Sequence, residues 1–328
     1  MTKPRLLPTR IGSLDIYHPT RIAGDASSRR YWRVQLEDSG SAVLCGYPPN
    51  QTATVRRDLE VLSWLSGRDL PVPRILGSEL DAGWVLLQDL GTEDGEATLQ
   101  KLPPEARLDM ARTLIGPLLV LGHIPCPQLP RWNPPLDESG LRWELSGFEL
   151  WVGGNTPECD AQPELGLWFD RLAKKIGRHP QRICHRDFHL NNLLMDHRGR
   201  LGVIDVQDVR LGPDTYDLAS FLVDRAMPDL LGENNQEDLT EFWATETGAA
   251  PGWRRRLVES KLQRSLKVVA TFVFLSRQGA IGYQKWIPSL ARRTIRLAEE
   301  FDDASALAAI LLNLASAGGC DVRHTWSS

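Results

Sequence analysis

The chain has 328 residues, of which 42% are hydrophobic and 24% are charged, and its formal net charge is -4. This composition predicts a globular protein that is long enough for two lobes, each with its own core. Cations are not in excess, which argues against nucleic acid as the main partner. Five widely spaced cysteines without a C-x-x-C pair predict reduced thiols rather than a disulfide framework or a zinc site.

The N-terminus and the apolar segments indicate where in the cell the protein is expected to be. Residues 1–5 lack the apolar run of a secretory signal. The apolar runs at residues 114–124 and 268–275 are too short to span a bilayer and are interpreted as buried helices. We therefore expect a cytoplasmic protein without a membrane partner.

The hydrophobic pattern divides the chain into a strand-rich part followed by a helical part. In the first part it predicts a hairpin at residues 22–36, a strand at 42–45, a helix at 52–65, an extended segment at 71–76 and a strand at 84–87. Beyond residue 91 it predicts helices at 104–121, 143–152 and 163–176, a short hairpin near residue 198, and further helices up to residue 317. A proline-rich surface loop is expected at 125–135, and residues 317–328 are expected to fray.

The residues that carry chemistry lie in the second part, between positions 184 and 208. Residues 184–194 read C-H-R-D-F-H-L-N-N-L-L, and an apolar strand then ends at Asp205. The pattern H-R-D-x-x-x-x-N followed by an aspartate matches what phosphoryl transfer from ATP requires. Asp187 would orient and deprotonate the attacking hydroxyl, while Asn192 and Asp205 would hold Mg²⁺ on the phosphates. A turn at residues 196–200 reverses the chain and brings Asp205 alongside the loop.

These motifs carry a family resemblance. The segment from His185 to Ser220 resembles the aminoglycoside/choline kinase-like phosphotransferases, and G-P-D-T-Y-D-L-A at 212–219 is similar to the D-L-A element that follows their metal-binding aspartate. Within that group, G-D-A-S-S-R-R-Y-W-R-V at 24–34 and V-I-D-V-Q-D at 203–208 are most similar to the anomeric N-acetylmuramate/N-acetylglucosamine kinases of cell-wall recycling.

The resemblance implies an α+β, bilobal protein-kinase-like fold. A small N-terminal lobe with an antiparallel sheet, residues 1–90, would bind the nucleotide. A larger and mainly helical C-terminal lobe, residues 91–328, would carry catalysis and bind the acceptor. The implied partners are ATP, Mg²⁺ and a small amino sugar, and we expect a monomer or a weak dimer. His185 and Asp217 would support the catalytic loop structurally rather than bind ligands.

The resemblance also implies a nucleotide site at the hairpin. The small residues of the turn at 24–28 would let backbone N–H groups cover the phosphates, with Ser27 and Ser28 among the contacts. The third strand, residues 42–46, has no lysine that could grip the α- and β-phosphates. Alternation places Arg29 and Arg33 on one face, and one of these two arginines is expected to replace that lysine.

Two further nucleotide-side predictions follow from the same fold. Glu60 on the next helix would pair with a hairpin arginine, or would be a solvated helix residue. The connector between the lobes, from Gln88 to Leu90, would read the edge of the adenine through its backbone groups.

Candidate acceptor contacts lie in the second lobe. Glu144 and Trp151 are seven residues apart and fall on one face of a predicted helix, where an acid and an aromatic ring suit a sugar. Trp151 could equally belong to the core. His189, Asn191 and Asp208 flank the catalytic residues and are also expected to contact the acceptor, because their loop positions place them at the site.

Three hypotheses about function follow. The first is an ATP-dependent kinase that phosphorylates a sugar hydroxyl, with the resemblance favouring the anomeric hydroxyl of N-acetylmuramate or N-acetylglucosamine. The second changes the acceptor to an aminoglycoside or choline, which the three acids of residues 158–164 would allow. The third is a nucleotide-binding pseudokinase that acts as a regulatory module, and only the missing lysine supports it.

Overall fold

The chain divides into two units in a computed structural model that describes residues 6–22, 28–37, 40–152 and 162–316. The described residues of Met1–Lys101 and Asn191–Val209 form what we name the sheet unit. Those of Leu102–Leu190 and Arg210–Ser328 form the helical unit. The assignment of nucleotide binding to residues 1–90 and of catalysis to residues 91–328 stays a prediction.

Strands and helices are given in chain order. The strands are β1 (Arg10–Ile11), β2 (Leu14–Ile22), β3 (Arg30–Leu36), β4 (Ser41–Gly46), β5 (Ile75–Glu79), β6 (Trp84–Gln88), β7 (Glu93–Asp94), β8 (Gln181–Cys184), β9 (Leu193–Met195), β10 (Leu201–Val203) and β11 (Arg210–Pro213). The helices are α1 (Thr52–Ser66), α2 (Gly95–Lys101), α3 (Pro104–Leu114), α4 (Gly116–His123), α5 (Glu138–Trp151), α6 (Gln162–Ile176), α7 (Tyr216–Leu222), α8 (Met227–Thr247), α9 (Trp253–Arg277), α10 (Ile287–Ala298) and α11 (Ser305–Ser316).

An antiparallel sheet with the strand order β1-β2-β3-β4-β6-β5 is the framework of the sheet unit. The predicted hairpin is confirmed by the pairing of β2 with β3, and β2 begins earlier than expected, at Leu14. Along β3, Trp32, Val34 and Leu36 pack into one core, and Arg33 faces a cavity on the other side. This division follows from the alternation of side chains along a strand.

Helix α1 confirms the helix predicted at residues 52–65. Its buried face includes Val55, Val61 and Leu65, which recur at helical spacing. The helix ends before Gly67, whose N–H donates to the carbonyl of Ser63 at 3.1 Å. This face also buries a carboxylate, that of Asp58, among its apolar neighbours.

A second, three-stranded sheet with the order β10-β9-β7 also belongs to the sheet unit. The turn between β9 and β10 is held by Asp196, whose Oδ1 accepts from the N–H groups of Arg198 (2.8 Å) and Arg200 (2.9 Å). The reversal predicted at residues 196–200 is therefore confirmed. Because β9 follows Asn192 and β10 ends before Asp205, this hairpin brings the two residues to the same end of the sheet.

Helix α9 runs through the core of the helical unit and packs against α5, α7 and α10. Apolar side chains from α5, α6 and α9 share this core, among them Phe148, Phe169, Leu262 and Leu266. Helix α5 begins earlier than predicted because Asp137 caps it and accepts from the N–H of Gly140 at 3.0 Å. Strand β8 pairs with β11 and leads directly into the predicted catalytic loop.

The structure corrects the single helix predicted at residues 104–121. Helix α3 ends at Leu114 and α4 begins at Gly116, with Pro117 in its first turn. Proline has no N–H to donate and its ring would clash with the preceding turn, so it starts a helix more readily than it continues one. Ser27, residues 158–161 of the acidic segment and the tail at 317–328 lie outside the described residues. Among the described helices, none combines the length and the apolar character needed to cross a membrane.

Candidate active site

A cavity of about 400 Å³ lies within the sheet unit. Its size is in the range that suits a small-molecule ligand. Five of its lining residues were predicted to bind nucleotide or metal from the sequence: Arg33, Gln88, Leu90, Asn192 and Asp205. The other lining residues include six apolar side chains: Ile22, Val43, Leu62, Leu87, Leu194 and Ile204. The cavity thus combines apolar walls with a few polar groups that could orient a ligand.

Asn192 and Asp205 are held next to each other at this cavity. The N–H of Ile204 donates to the carbonyl of Asn192 at 3.0 Å, which connects the two segments directly before Asp205. Asp205 adopts a left-handed backbone conformation, with φ 63° and ψ 37°. Such a conformation is uncommon for a residue with a side chain and is concentrated at functional sites. The side chain of Asp205 is 42% exposed, so a ligand can reach it.

Arg29 joins Asp205 to helix α1. One guanidinium nitrogen, Nη2, lies 3.1 Å from Asp205 Oδ1, and Nη1 lies 3.5 Å from Asp58 Oδ2. Its guanidinium carbon also lies within 6 Å of the ring centroids of Tyr31 (5.9 Å) and Tyr47 (5.8 Å). The hydroxyl of Tyr47 donates to Asp58 Oδ2 at 3.0 Å. Arg29 is therefore a cation fixed beside the exposed carboxylate of the cavity.

The sequence reasoning did not consider Asp58. Its side chain is only 4% exposed, and it supplies the carboxylate of α1 that contacts Arg29. The pairing of Glu60 with a hairpin arginine stays a prediction. Asp58 follows the buried Val55 by three residues, so a carboxylate on the apolar face of an amphipathic helix was the signal that could have identified it.

Arg33 contacts the predicted connector, whereas Arg29 contacts Asp205. Its Nε lies 2.6 Å from Asp89 Oδ2, and its Nη2 donates to Asp89 Oδ1 at 3.0 Å and to the carbonyl of Gly91 at 2.9 Å. Burial acts to raise the pKa of the Asp89 carboxyl, but the Arg33 guanidinium and the Gly91 N–H hold that pKa below its usual value. Of the two arginines predicted as phosphate ligands, Arg29 contacts Asp205, whereas Arg33 fixes the connector to β3.

Three other predicted residues of the sheet unit have different surroundings. Ser28 is exposed and lies two residues before β3. The amide of Asn191 donates to Asp94 Oδ2 at 2.6 Å, which ties it to β7. Asp208 ends the short 3₁₀ turn that follows Asp205 and is half-buried. The roles of these residues in binding stay predictions.

The predicted catalytic loop in the helical unit is anchored by Asp217 on α7. Its Oδ2 accepts from the N–H of His185 at 2.6 Å, and its Oδ1 accepts from the N–H of Arg186 at 2.9 Å. Arg186 has a left-handed backbone conformation with φ 80°, which carries strain. The hydrogen bonds that His185 and Arg186 donate to the Asp217 carboxylate offset this strain. The prediction that Asp217 anchors the loop is confirmed.

Asp187 lies between two cations from α9. Its Oδ1 is 3.4 Å from Lys267 Nζ and 3.6 Å from Arg264 Nη1, and its side chain is 34% exposed. Burial alone would raise the pKa of the Asp187 carboxyl, but Lys267, Arg264 and Arg186 lower it far below its usual value. Burial lowers the pKa of the neighbouring His189, against the opposite influence of Asp224 and Asp187. Asp187 is therefore an ionised carboxylate at neutral pH.

Glu144 lies at the centre of the same network and is almost completely buried. Its Oε1 accepts from Lys267 Nζ (2.9 Å) and Arg186 Nε (3.2 Å), and its Oε2 accepts from Tyr216 Oη (2.7 Å) and Gln263 Nε2 (2.9 Å). Burial would raise its pKa, but the charges of Lys267, Arg264 and Arg186 lower it to about 2. A contact between Glu144 and the acceptor stays a prediction.

Trp151 and the residues of α9 complete this region. The ring of Trp151 is half-buried, packs against the helical core and lies 4.7 Å from the ring of Phe274, as expected of the core alternative. The sequence reasoning missed Arg264 and Lys267. Helix α9 carries several other charged residues, among them Arg255, Glu259 and Lys261, so no local signal in the sequence set these two apart.

Comparisons with known proteins agree with these observations. Residues 18–267 match the model described as the phosphotransferase enzyme family. An N-acetylmuramate/N-acetylglucosamine kinase of Neisseria meningitidis serogroup B is 30% identical over 318 residues, which cover 90% of this chain and 90% of that protein. A kinase of the same name from Pseudomonas aeruginosa is 29% identical over 282 residues, which cover 82% and 80%.

The chain also resembles solved structures. A choline/ethanolamine kinase family protein from Mesorhizobium loti aligns with a TM-score of 0.58 at 16% identity, and the alignment covers 90% of this chain and 92% of that one. At this identity the likeness concerns the fold alone. It confirms the predicted α+β, kinase-like fold class.

Proposed function

The chain belongs to the phosphotransferase enzyme family, and we propose that it transfers the γ-phosphoryl group of ATP to the anomeric hydroxyl of N-acetylmuramate or N-acetylglucosamine. The observation that carries the transfer chemistry is the convergence of Asn192, Asp205 and the connector residues on one cavity of the sheet unit. The acceptor is supported by the two relatives that bear this name and match most of the chain.

The nucleotide would occupy the cavity of the sheet unit. Apolar side chains on its walls suit the faces of a purine, and the backbone of the connector from Gln88 to Gly91 offers polar groups for the purine edge. Arg33 would keep this connector in position through Asp89 and Gly91. Arg29 would steady the phosphates, because its guanidinium lies next to Asp205 and is held there by Asp58.

Asn192 and Asp205 would hold Mg²⁺. Magnesium prefers oxygen ligands and is often bound by one or two side chains together with the phosphates of its substrate. The side chains of Asn192 and Asp205 supply an amide oxygen and an exposed carboxylate at one cavity, which fits this preference. When bound, the ion would neutralise negative charge on the phosphates during transfer. The residues' own part is to fix two oxygens by means of the β9–β10 hairpin.

Asp187 would act on the acceptor. Its carboxylate is ionised and partly exposed, and the loop that carries it is fixed by Asp217. It would accept a hydrogen bond from the attacking hydroxyl and take its proton as the phosphoryl group is transferred. Catalysis would rest mainly on positioning and on charge neutralisation.

Phosphorus NMR of the reaction product tests this proposal. The enzyme is incubated with ATP, Mg²⁺ and, separately, N-acetylmuramate, N-acetylglucosamine, the methyl glycoside of N-acetylglucosamine, kanamycin and choline. We expect a sugar 1-phosphate from the free amino sugars and no product from the methyl glycoside, whose anomeric oxygen carries no proton. A 6-phosphate, or turnover of kanamycin or choline alone, would contradict the proposal. Asp187→Asn serves as the control for background hydrolysis of ATP.

A further inference from the structure

We propose that Lys267 is an acceptor-binding residue that selects a sugar bearing a carboxylate, such as N-acetylmuramate, over neutral or cationic acceptors. This inference rests on the proposed function and specifies the acceptor of the same site. Nothing in the sequence pattern around Asp187 pointed to Lys267, which lies eighty residues further along the chain on α9.

The first observation is the position of the ammonium group. Lys267 Nζ lies 3.4 Å from Asp187 Oδ1 and 2.9 Å from Glu144 Oε1. An ammonium group has three donors, and these two carboxylates account for two of them. An acceptor whose hydroxyl is bound to Asp187 would lie close to this ammonium group, because only 3.4 Å separates Lys267 Nζ from Asp187 Oδ1.

The second observation is the balance of charge in the ion-pair network. Two carboxylates, Glu144 and Asp187, are paired with three cations, Arg186, Arg264 and Lys267. Asp217 is a third carboxylate of this region, because it accepts from the N–H of Arg186 and lies close enough to Arg264 to interact with its charge. Carboxylates and cations are therefore equal in number. A carboxylate of the acceptor would pair with the Lys267 ammonium group itself, in a partly buried place where such a pair is screened less than at the surface.

The third observation is the exposure of the two cations that contact Asp187. The side chain of Arg264 is only 5% exposed, and its nitrogens also donate to Tyr216 Oη at 3.0 Å and to Ser220 Oγ at 2.8 Å. The side chain of Lys267 is 19% exposed. Of these two cations, Lys267 is thus the one that a molecule bound at Asp187 can reach.

A purely structural role for Lys267 makes a different prediction. If its ammonium group only orients Asp187, then its replacement would slow the transfer to every acceptor by the same factor. If it binds a carboxylate of the acceptor, its replacement would remove the preference for the charged acceptor. The two roles are separated by a comparison of acceptors rather than by the loss of activity itself.

The experiment is a thermodynamic cycle between the enzyme and the acceptor. The kcat/KM values of the wild-type enzyme and of Lys267→Gln are measured for N-acetylmuramate and for its carboxamide, which has the same ring and hydroxyls but no charge. We expect the wild type to prefer the acid by about tenfold or more, as for other charge-assisted hydrogen bonds. In Lys267→Gln the preference should fall to within about threefold of unity.

Two further variants make the comparison decisive. Lys261→Gln is the matched control: Lys261 lies on the same helix, but its neighbouring charges are Glu300, Glu237 and Glu233, and it should keep the wild-type preference. Lys267→Arg keeps the charge and should retain a preference for the acid. If Lys267→Gln does not fold, Lys267→Arg can be tested in its place. The ratio of the two kcat/KM values for the wild-type enzyme also tests the inference and needs no variant.

The outcomes distinguish this inference from the proposed function. Wild-type enzyme that phosphorylates both compounds with equal efficiency would refute the assignment of Lys267 as a carboxylate-binding residue, and so would Lys267→Gln with the wild-type ratio. In either case the proposed kinase activity is unaffected. If wild-type enzyme phosphorylates neither the acid, nor the amide, nor N-acetylglucosamine, the proposed function fails, and the role of Lys267 fails with it.

Discussion

The sheet unit and the helical unit both place carboxylates beside cations, but the carboxylates differ in exposure. Asp205 lines a cavity and its side chain is 42% exposed. Glu144 is 1% exposed and accepts from four protein donors. An exposed carboxylate at a cavity can exchange its protein partner for a ligand. A buried carboxylate with four donors instead fixes the side chains around it.

Asp187 is intermediate between these two cases. It belongs to the same network as Glu144, yet a third of its side chain is exposed. The network can thus hold Asp187 in place while leaving one side of it open to an acceptor. The comparison separates three kinds of substitution: those that stop the chemistry, those that weaken the fold of the helical unit, and those that weaken nucleotide binding.

The largest effect is expected from Asp187→Asn. The amide cannot take a proton from the attacking hydroxyl, and removal of a general base commonly lowers the rate by about 10²- to 10⁴-fold. Steady-state kinetics with saturating ATP and acceptor measure this loss as a fall in kcat. A variant with near-native kcat would refute the assignment of Asp187 as the base.

Glu144→Gln is expected to destabilise the helical unit. It leaves Lys267 and Arg186 without their buried carboxylate, and breaking a buried ion pair commonly costs about 3–5 kcal/mol. Denaturation by urea measures the free energy of unfolding. Glu149→Gln on the same helix is the matched control, because the Glu149 side chain pairs with Arg142 and is 28% exposed. This substitution should lower the free energy of unfolding by less than about 1 kcal/mol.

The same variant should change the dependence of stability on pH. The pKa of Glu144 is about 2 in the folded protein, against its ordinary value of 4.5. A lowered pKa means that the carboxylate contributes stability above pH 4.5 and that this contribution is lost as the pH falls from 4.5 towards 2. Glu144→Gln should therefore lose less stability than the wild type over this window. Equal losses in both proteins would contradict the role of Glu144 as an ionised centre.

Arg29→Ala is expected to raise the KM for ATP by about tenfold or more, because hydrogen bonds to charged groups contribute about 1.5–3 kcal/mol. The KM for the acceptor should change far less. Arg30→Ala is the control, since Arg30 is the next residue along the chain and is exposed. If Arg29→Ala leaves ATP kinetics intact, another cation must steady the phosphates.

Arg33→Ala should raise the KM for ATP less than Arg29→Ala does. Arg33 contacts Asp89 and the carbonyl of Gly91, so it would act on the nucleotide only through the connector. We expect a rise in the KM for ATP of less than about tenfold. A larger effect than that of Arg29→Ala would reverse the roles given to the two arginines.

Local sequence signals predicted much of the fold but only part of the site. The alternation in β3, the spacing of α1 and the turn at Asp196 are encoded in neighbouring residues, and all three are confirmed. The break between α3 and α4 was missed because the apolar period continues through Pro117. The motif identified Asp187, Asn192 and Asp205 as candidates because their spacing lies within one short segment.

The remaining parts of the site depend on contacts that are distant in sequence. Asp58 becomes a partner of Arg29 only when the fold brings together residues twenty-nine positions apart, and Lys267 reaches Asp187 from eighty residues away. No local pattern marks such pairs. The general rule that buried charges need partners would have selected Asp58 as a candidate, because it lies on the apolar face of α1, but it could not have chosen its partner.

The most direct test compares the binding of Mg²⁺–ATP to Asp205→Asn and Asp187→Asn by titration calorimetry, with both proteins folded and in the absence of acceptor. If the sheet unit holds the nucleotide and Asp187 acts on the acceptor, Asp205→Asn should weaken this binding by about 10- to 100-fold, the range seen when groups that support a metal are removed. Asp187→Asn should bind Mg²⁺–ATP as the wild type does. Unchanged binding by Asp205→Asn, or an equal loss in both variants, would contradict this division of roles.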